Sequence, residues 1–226
     1  MAKTYSIAID GPAGAGKSTM AKTLAKELGF YYVDTGAIYR TVAYFMDLLG
    51  VSPKDVDGVE RYIDELNIQI EYDEEGKQHM IMNGMDVSGE IRTQDISQKA
   101  SLVSAHAVVR EVLLDMQREV ARNHNVIMDG RDIGTVVLPK ADVKIFLTAS
   151  PEVRARRRCD ELVAKGQNAQ YEQVLKEIQQ RDYQDTHREI APLKMARDSI
   201  KLDTSDLDIP GVIEAMDKIV REKISL

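Results

Sequence analysis

The sequence predicts an α/β fold in which a parallel sheet is flanked by helices. Short β-branched apolar runs alternate with segments of helical spacing from the start of the chain. The later runs NVIMD (125–129) and DVKIFL (142–147) are dominated by apolar residues, as strands buried on both faces are. A strand–helix–strand–helix rhythm also supplies the crossovers that parallel strands need.

In chain order, TYSIAID (4–10) is the first strand. Within GKSTMAKTLAKELG (16–29), Met20, Ala21, Leu24, Ala25 and Leu28 recur at helical spacing, and Gly29 stands in a C-cap position. FYYVD (30–34) is a second strand and TGAIYRTVAYFMDLLG (35–50) a second helix. PKDVDGVERYID (53–64) reads as a linker helix to which no chemistry is assigned. The pattern then changes. NIQIEY (67–72) and HMIMN (79–83) alternate on either side of DEEGKQ, a hairpin signal, and NGMD (83–86) adds a turn. An antiparallel hairpin interrupts a parallel unit, so about 62–103 is expected to be an inserted subdomain of a single domain spanning 1–226. An amphipathic helix over 104–123 follows, with Val108, Val109, Val112, Leu113 and Met116 on one stripe. Further helices are expected at 151–165 and 171–184, a last strand at SIKLD (199–203), and a closing helix over 209–224.

Composition narrows the class of function. The 226 residues are 43% hydrophobic and carry a formal net charge of −7, which argues against a general nucleic-acid or membrane-surface binder. Trp is absent and Phe occurs three times, so basic and aromatic residues are not interleaved. Cys159 is the only cysteine, which excludes a disulfide framework or a cysteine-based metal site. The N-terminal segment has no signal-peptide core and no run approaches a membrane span, so a soluble cytoplasmic protein is expected.

GPAGAGKS (11–18) fits G-x-x-x-x-G-K-[ST] between the first strand and first helix. Gly11, Pro12, Ala13, Gly14, Ala15 and Gly16 form a tight loop whose N–H groups can face phosphate oxygens, and the next helix adds its positive N-terminal end. Lys17 supplies charge for the β- and γ-phosphates, and Ser18 a hydroxyl for Mg²⁺, a role Thr19 could share. Asp129, closing NVIMD, suits an acid that polarises the metal or its water; an Asp there can equally cap a turn. These residues imply a Mg-dependent nucleoside triphosphate user.

The acceptor is suggested by an excess of arginine. Arg40 follows DTGAIY, Arg131 lies in DGRDIGT, and Arg181 and Arg188 flank RDYQDTHREIAPL (181–193). RARRR (154–158) places Arg154, Arg157 and Arg158 at helical spacings, as a solvated face or as a short lid at about 151–170. Guanidinium forks grip phosphate bidentately. An acceptor that is itself a phosphate, with a second pKa near ~6, needs cations rather than a base. The alternatives are a kinase for a small alcohol with Asp34 as base, and a slow nucleotide switch, although no Asn-Lys-x-Asp guanine-reading loop occurs.

IDGPAGAGKST, DTGAIYR, DVSGEIRT, DGRDIGT and RD…D..R..APL, in this order along nearly the whole chain, resemble the bacterial cytidylate kinase family. The resemblance implies a P-loop NTPase of nucleoside monophosphate kinase-like fold that moves a phosphoryl group from ATP to CMP or dCMP with Mg²⁺, acting as a monomer. It implies that Arg40, Arg131 and Arg188 grip the acceptor phosphate, that Ser101, Arg110 and Asp132 read cytosine, and that Arg181 and Asp185 meet the sugar hydroxyls. Thr35 stands where the family also carries serine. Arg157 and Arg158 are the lid arginines expected to close over the transferring group. Cytosine offers an N4 donor beside N3 and O2 acceptors, which an acid and an arginine complement and which uracil reverses. In 181–193, Arg181 is expected to fix Asp185, while Asp182, His187 and Glu189 are expected to be solvated.

Overall fold

The computed structural model describes residues 3–164 and 166–224. Lys165, the expected last residue of helix 151–165, lies outside the described residues, as do Met1 and Ala2 of the N-terminal segment. Five strands, β1 (Ser6–Asp10), β2 (Tyr31–Asp34), β6 (Val126–Gly130), β7 (Val143–Thr148) and β8 (Ile200–Asp203), form a parallel sheet of order β2-β6-β1-β7-β8. A second, antiparallel sheet contains β3 (Ile68–Tyr72), β4 (Gln78–Met82) and β5 (Met85–Asp86).

The two-residue period of each strand sorts side chains between two apolar layers. Ile7, Ile9, Ile127, Ile145 and Leu147 face one layer, completed by Met20, Leu24 and Ala25 of α1 (Lys17–Leu28) and Val212, Met216 and Val220 of α8 (Ile209–Lys223). Ala8, Val33, Val126 and Met128 face the other. That layer is filled by α2 (Thr35–Leu48) and by Val109 and Leu113 of α5 (Ala107–Asn123). Helices on both faces explain why the parallel strands read as apolar runs.

The stretch 62–103 does more than form a hairpin. Asn83 and Gly84 take positive φ of 49° and 82° in the two-residue turn between β4 and β5, as the NGMD signal anticipates. A helix α4 (Gln94–Val103), absent from the sequence reading, follows. Thr93 caps it by accepting from the Ile96 N–H, and Ile96, Ala100 and Val103 give it a thin apolar stripe. Met80, Met82 and that stripe share one core with Val33 and Ala37, so this region packs on the main sheet's layer. The linker helix is α3 (Val56–Tyr62), and the helix expected from 104 begins at Ala107. α6 (Pro151–Ala164) and α7 (Tyr171–His187) pair beside the sheet's carboxyl end, with α7 running one turn past its expected end.

Candidate active site

β1, β2 and β6 are neighbours and all end on the same side, where a parallel sheet presents its ligand crevice. β1 runs into the loop 11–16. Gly11 has φ of 150°, and a Cβ there would sit 1.9 Å from the Leu147 carbonyl oxygen, so only glycine lets the loop rest on β7. Lys17 opens α1, is 5% exposed, and donates to the Pro12 carbonyl at 2.8 Å. It makes no ion pair among the described residues, and burial, then repulsion from Arg131, lowers its pKa to about 7. Ala15 is buried, whereas Ser18 and Thr19 are exposed at the helix start.

The Ser18 hydroxyl donates to Asp129 Oδ2 at 2.8 Å, and the Tyr32 hydroxyl donates to Asp129 Oδ1 at 2.7 Å. Burial, then the Asp34 charge, raises the Asp129 pKa. Hydroxyl and carboxylate oxygens fit a hard cation. Among the described residues no group of three or more His, Cys, Asp or Glu could hold a metal, so Mg²⁺ at Ser18 and Asp129 would complete its shell with nucleotide and water.

Facing this loop, five arginines converge from α2, α5, α7 and the residue that ends it, and the turn after β6. Arg40 donates to Asp34 at 2.9 Å while Asp34 caps α2 through the Ala37 N–H. Arg131 donates to Asp185 at 2.7 Å. Arg110 and Arg188 take the two oxygens of Asp132, Arg188 at 3.2 Å. Arg181 is drawn into the same field, its pKa lowered to about 10 by burial and then by Arg131. Burial works against the Asp185 carboxylate, yet Arg131 and Arg181 outweigh it and its pKa falls below the ordinary value. Among the described residues two guanidinium nitrogens are buried with no partner: Nε of Arg40 and Nε of Arg181. Buried charged donors rarely stay unpaired unless an anion completes them. Ser101, Leu102, Asp185 and Arg188 line an adjoining cleft of about 270 Å³. Thr35 is buried at the start of α2, its hydroxyl donating to the Asp129 carbonyl at 2.7 Å.

Three expectations are corrected. Arg181 does not fix Asp185; Arg131 does, because the end of β6 brings its Nε within 2.7 Å of that carboxylate. Asp182 is not a solvated bystander, since it accepts from Arg154 at 3.0 and 2.5 Å. Nor do the arginines of RARRR share one face. Arg154 is 3% exposed and also donates to the Ala13 and Ala149 carbonyls at 2.9 Å, pinning the phosphate loop to α7. Arg157 turns to Thr204, donating to its carbonyl at 2.6 Å, and Arg158 donates to Glu161 at 2.8 Å near the surface. His187 is exposed and stacks on Tyr183 with ring centroids 4.0 Å apart, and Glu189 is exposed, as expected.

The family model described as cytidylate kinase matches residues 7–222. The chain belongs to the cytidylate kinase family. A cytidylate kinase from Exiguobacterium sp. is 46% identical over 222 residues, 98% of this chain and 99% of that one. Another from Carboxydothermus hydrogenoformans is 49% identical over 217 residues, covering 96% and 97%. A solved, uncharacterised protein from Eubacterium ventriosum shares the fold at 13% identity and TM-score 0.52, over 97% of this chain and 99% of that one.

Within this cytidylate kinase frame, the sequence reading missed several residues. Asp10 is 2% exposed and accepts from the Ile133 and Gly134 N–H groups, both at 2.7 Å. Tyr32 orients Asp129, and Ser104 accepts from Arg188 at 3.2 Å and offers its carbonyl to Arg110 at 3.0 Å. Gln78 from β4 accepts the Asp34 N–H at 2.7 Å. Only Asp10 carried a signal, as an acid closing an apolar strand before the phosphate loop. Among the described residues no helix is long and apolar enough to cross a membrane.

Proposed function

We propose that the chain moves the γ-phosphoryl group of ATP to CMP or dCMP through the residues above, as a cytoplasmic monomer. The observation that carries the assignment of the acceptor site is the pair of unpartnered buried Nε–H groups on Arg40 and Arg181, set among arginines already matched with carboxylates. A phosphate supplies the acceptor oxygens these donors lack.

In this reading the loop 11–16 and Lys17 hold the triphosphate, and Ser18 and Asp129 would hold Mg²⁺, whose charge would offset that of the triphosphate. Arg40, Arg131 and Arg188 receive the acceptor phosphate, Arg181 and Asp185 the sugar, and Asp132, Arg110 and Ser101 the cytosine edge. Thr35, at the mouth between β2 and β6, borders the acceptor phosphate. An oxygen of the monophosphate attacks the γ-phosphorus in line, its bond to the β–γ bridging oxygen breaks, and ADP leaves. No covalent enzyme intermediate forms and no base is required. Asp34 fits no base role, being occupied by the Ala37 N–H and Arg40. About 62–103 forms part of the monophosphate-binding region and about 151–170 the lid; Arg158, paired with the half-exposed Glu161, is freer to swing inward than Arg157, which is bonded to Thr204.

The test is ADP formation with Mg²⁺ and ATP against CMP, dCMP, UMP, AMP, GMP and shikimate. Rapid turnover restricted to CMP and dCMP is expected. Slow turnover indifferent to acceptor would favour a nucleotide switch, and turnover of shikimate alone a small-alcohol kinase.

A further inference from the structure

The cytosine-reading acid stands at the head of an unusual piece of backbone. Ile133–Val137 forms a π-helical turn in which the Val136 and Val137 N–H groups return to the Asp132 carbonyl at 2.8 and 3.2 Å, and Leu138 N–H to Ile133 at 2.7 Å. Such turns are short, recur at functional sites, and leave N–H groups at one end and carbonyls at the other without internal partners. Here both ends are taken by charged side chains from distant parts of the chain. Asp10 accepts from the first two N–H groups, of Ile133 and Gly134, at 2.7 Å each. Arg118 donates to the last two carbonyls, of Val136 at 2.9 Å and Val137 at 3.0 Å. An anion at the N-terminal end and a cation at the C-terminal end also match the turn's dipole. Gly134 fits closely beside Asp10, since a Cβ there would lie 3.3 Å from Asp10 Oδ2 and 3.1 Å from the Lys144 side chain.

The placement of the two clamps matters. Asp10 is the residue before Gly11, so it joins the turn to the phosphate loop. Arg118 and Arg110 lie on α5 eight residues apart, a spacing that returns to the same helix face. Arg110 is the partner of Asp132. One rigid helix therefore carries one half of the proposed base-reading pair and also ties down the turn that carries the other half.

We propose that Arg118 and Asp10 are positioning residues for acceptor selection: they hold the 132–137 turn so that Asp132 faces the base at a fixed distance from Arg110. This rests on the reading of Asp132 and Arg110 as the cytosine-recognising pair. Neither clamp touches substrate. A small rotation of the turn would lengthen the acid's hydrogen bond to the cytosine amine while leaving phosphate contacts in place, so CMP would lose its advantage over UMP before activity as such is lost.

The experiment measures kcat/KM for CMP and UMP, and KM for ATP, in Arg118→Gln, Arg118→Lys, Asp10→Asn and Asp132→Ala. Arg118→Gln is expected to lower the CMP-to-UMP ratio about tenfold with KM for ATP unmoved, and Arg118→Lys to restore part of it. Asp10→Asn is expected to act in the same direction and more strongly, because an amide donor then faces a backbone donor. Arg118 is half-buried on α5, so Arg118→Gln carries the test if Asp10→Asn does not fold. Equal losses for CMP and UMP, or an unchanged ratio, in the clamp variants would overturn the clamp alone, provided Asp132→Ala abolishes discrimination. An unchanged ratio in Asp132→Ala would overturn both the clamp and the base-reading assignment beneath it.

Discussion

Lys17 and the acceptor arginines are all basic groups withdrawn from water within one crevice, yet they are kept there in different ways. Arg40, Arg110, Arg131 and Arg188 are each matched to a carboxylate, through Asp34, Asp132, Asp185 and again Asp132. Among the described residues Lys17 makes no ion pair and donates only to the Pro12 carbonyl, and burial, then Arg131, lowers its pKa to about 7. In the acceptor half four of the arginines are held by three carboxylates when the site is empty, while the buried Nε groups of Arg40 and Arg181, without a partner among the described residues, are open to the oxygens of a monophosphate. The donor half holds a desolvated amine that gains its full charge only when triphosphate arrives. Burial without a partner is costly, so the donor half stores a charge deficit that substrate removes.

The comparison breaks most visibly at Lys17. Replacing it in Lys17→Met is expected to reduce kcat about a thousandfold, because its charge acts where the transition state gathers negative charge. Thermal stability should be equal to or above that of the unchanged protein, since an apolar side chain replaces a desolvated ammonium. A sharp fall in the melting temperature would mean that Lys17 is compensated in the empty protein after all. Arg188→Ala sharpens the other half. It should lower kcat/KM for CMP and UMP alike, by about a hundredfold, with KM for ATP unchanged. It should also destabilise the fold, since Asp132 keeps only Arg110 and the Ala191 carbonyl loses its donor at 2.8 Å. Steady-state kinetics and thermal melts on both variants separate the halves.

The same contrast describes what could be read before the fold was in hand. The donor residues are local: loop, lysine and hydroxyl lie within eight consecutive positions, and only Asp129 comes from afar. Parallel strands, their order of appearance and the hairpin were equally visible, because period and apolarity are properties of short windows. The acceptor residues are spread over α2, α5, α7 and the turn after β6, and they were recognised through the order of several motifs. Their pairing was not legible. Arg181 and Asp185 are four apart on one helix, which suggests a bond, but the placement of β6 gives Asp185 to Arg131 instead. Asp182 looked like a solvated charge because its partner, Arg154, comes from a different helix. α4 escaped because Ile96, Ala100 and Val103 are too sparse to mark a helix without the core they enter.

The most direct measurement of the contrast is proton exchange on binding, by calorimetry at pH 8 in buffers of different ionisation enthalpy. With its pKa at about 7, Lys17 is mostly neutral in the empty protein at that pH, and a bound triphosphate favours its charged form. ATP binding should therefore take up most of one proton, and Lys17→Met should abolish the uptake. CMP binding should take up almost none, because its arginine partners are charged before it arrives. No uptake with ATP, or equal uptake with ATP and CMP, would contradict the account of a donor amine charged by its substrate facing acceptor arginines that are charged beforehand.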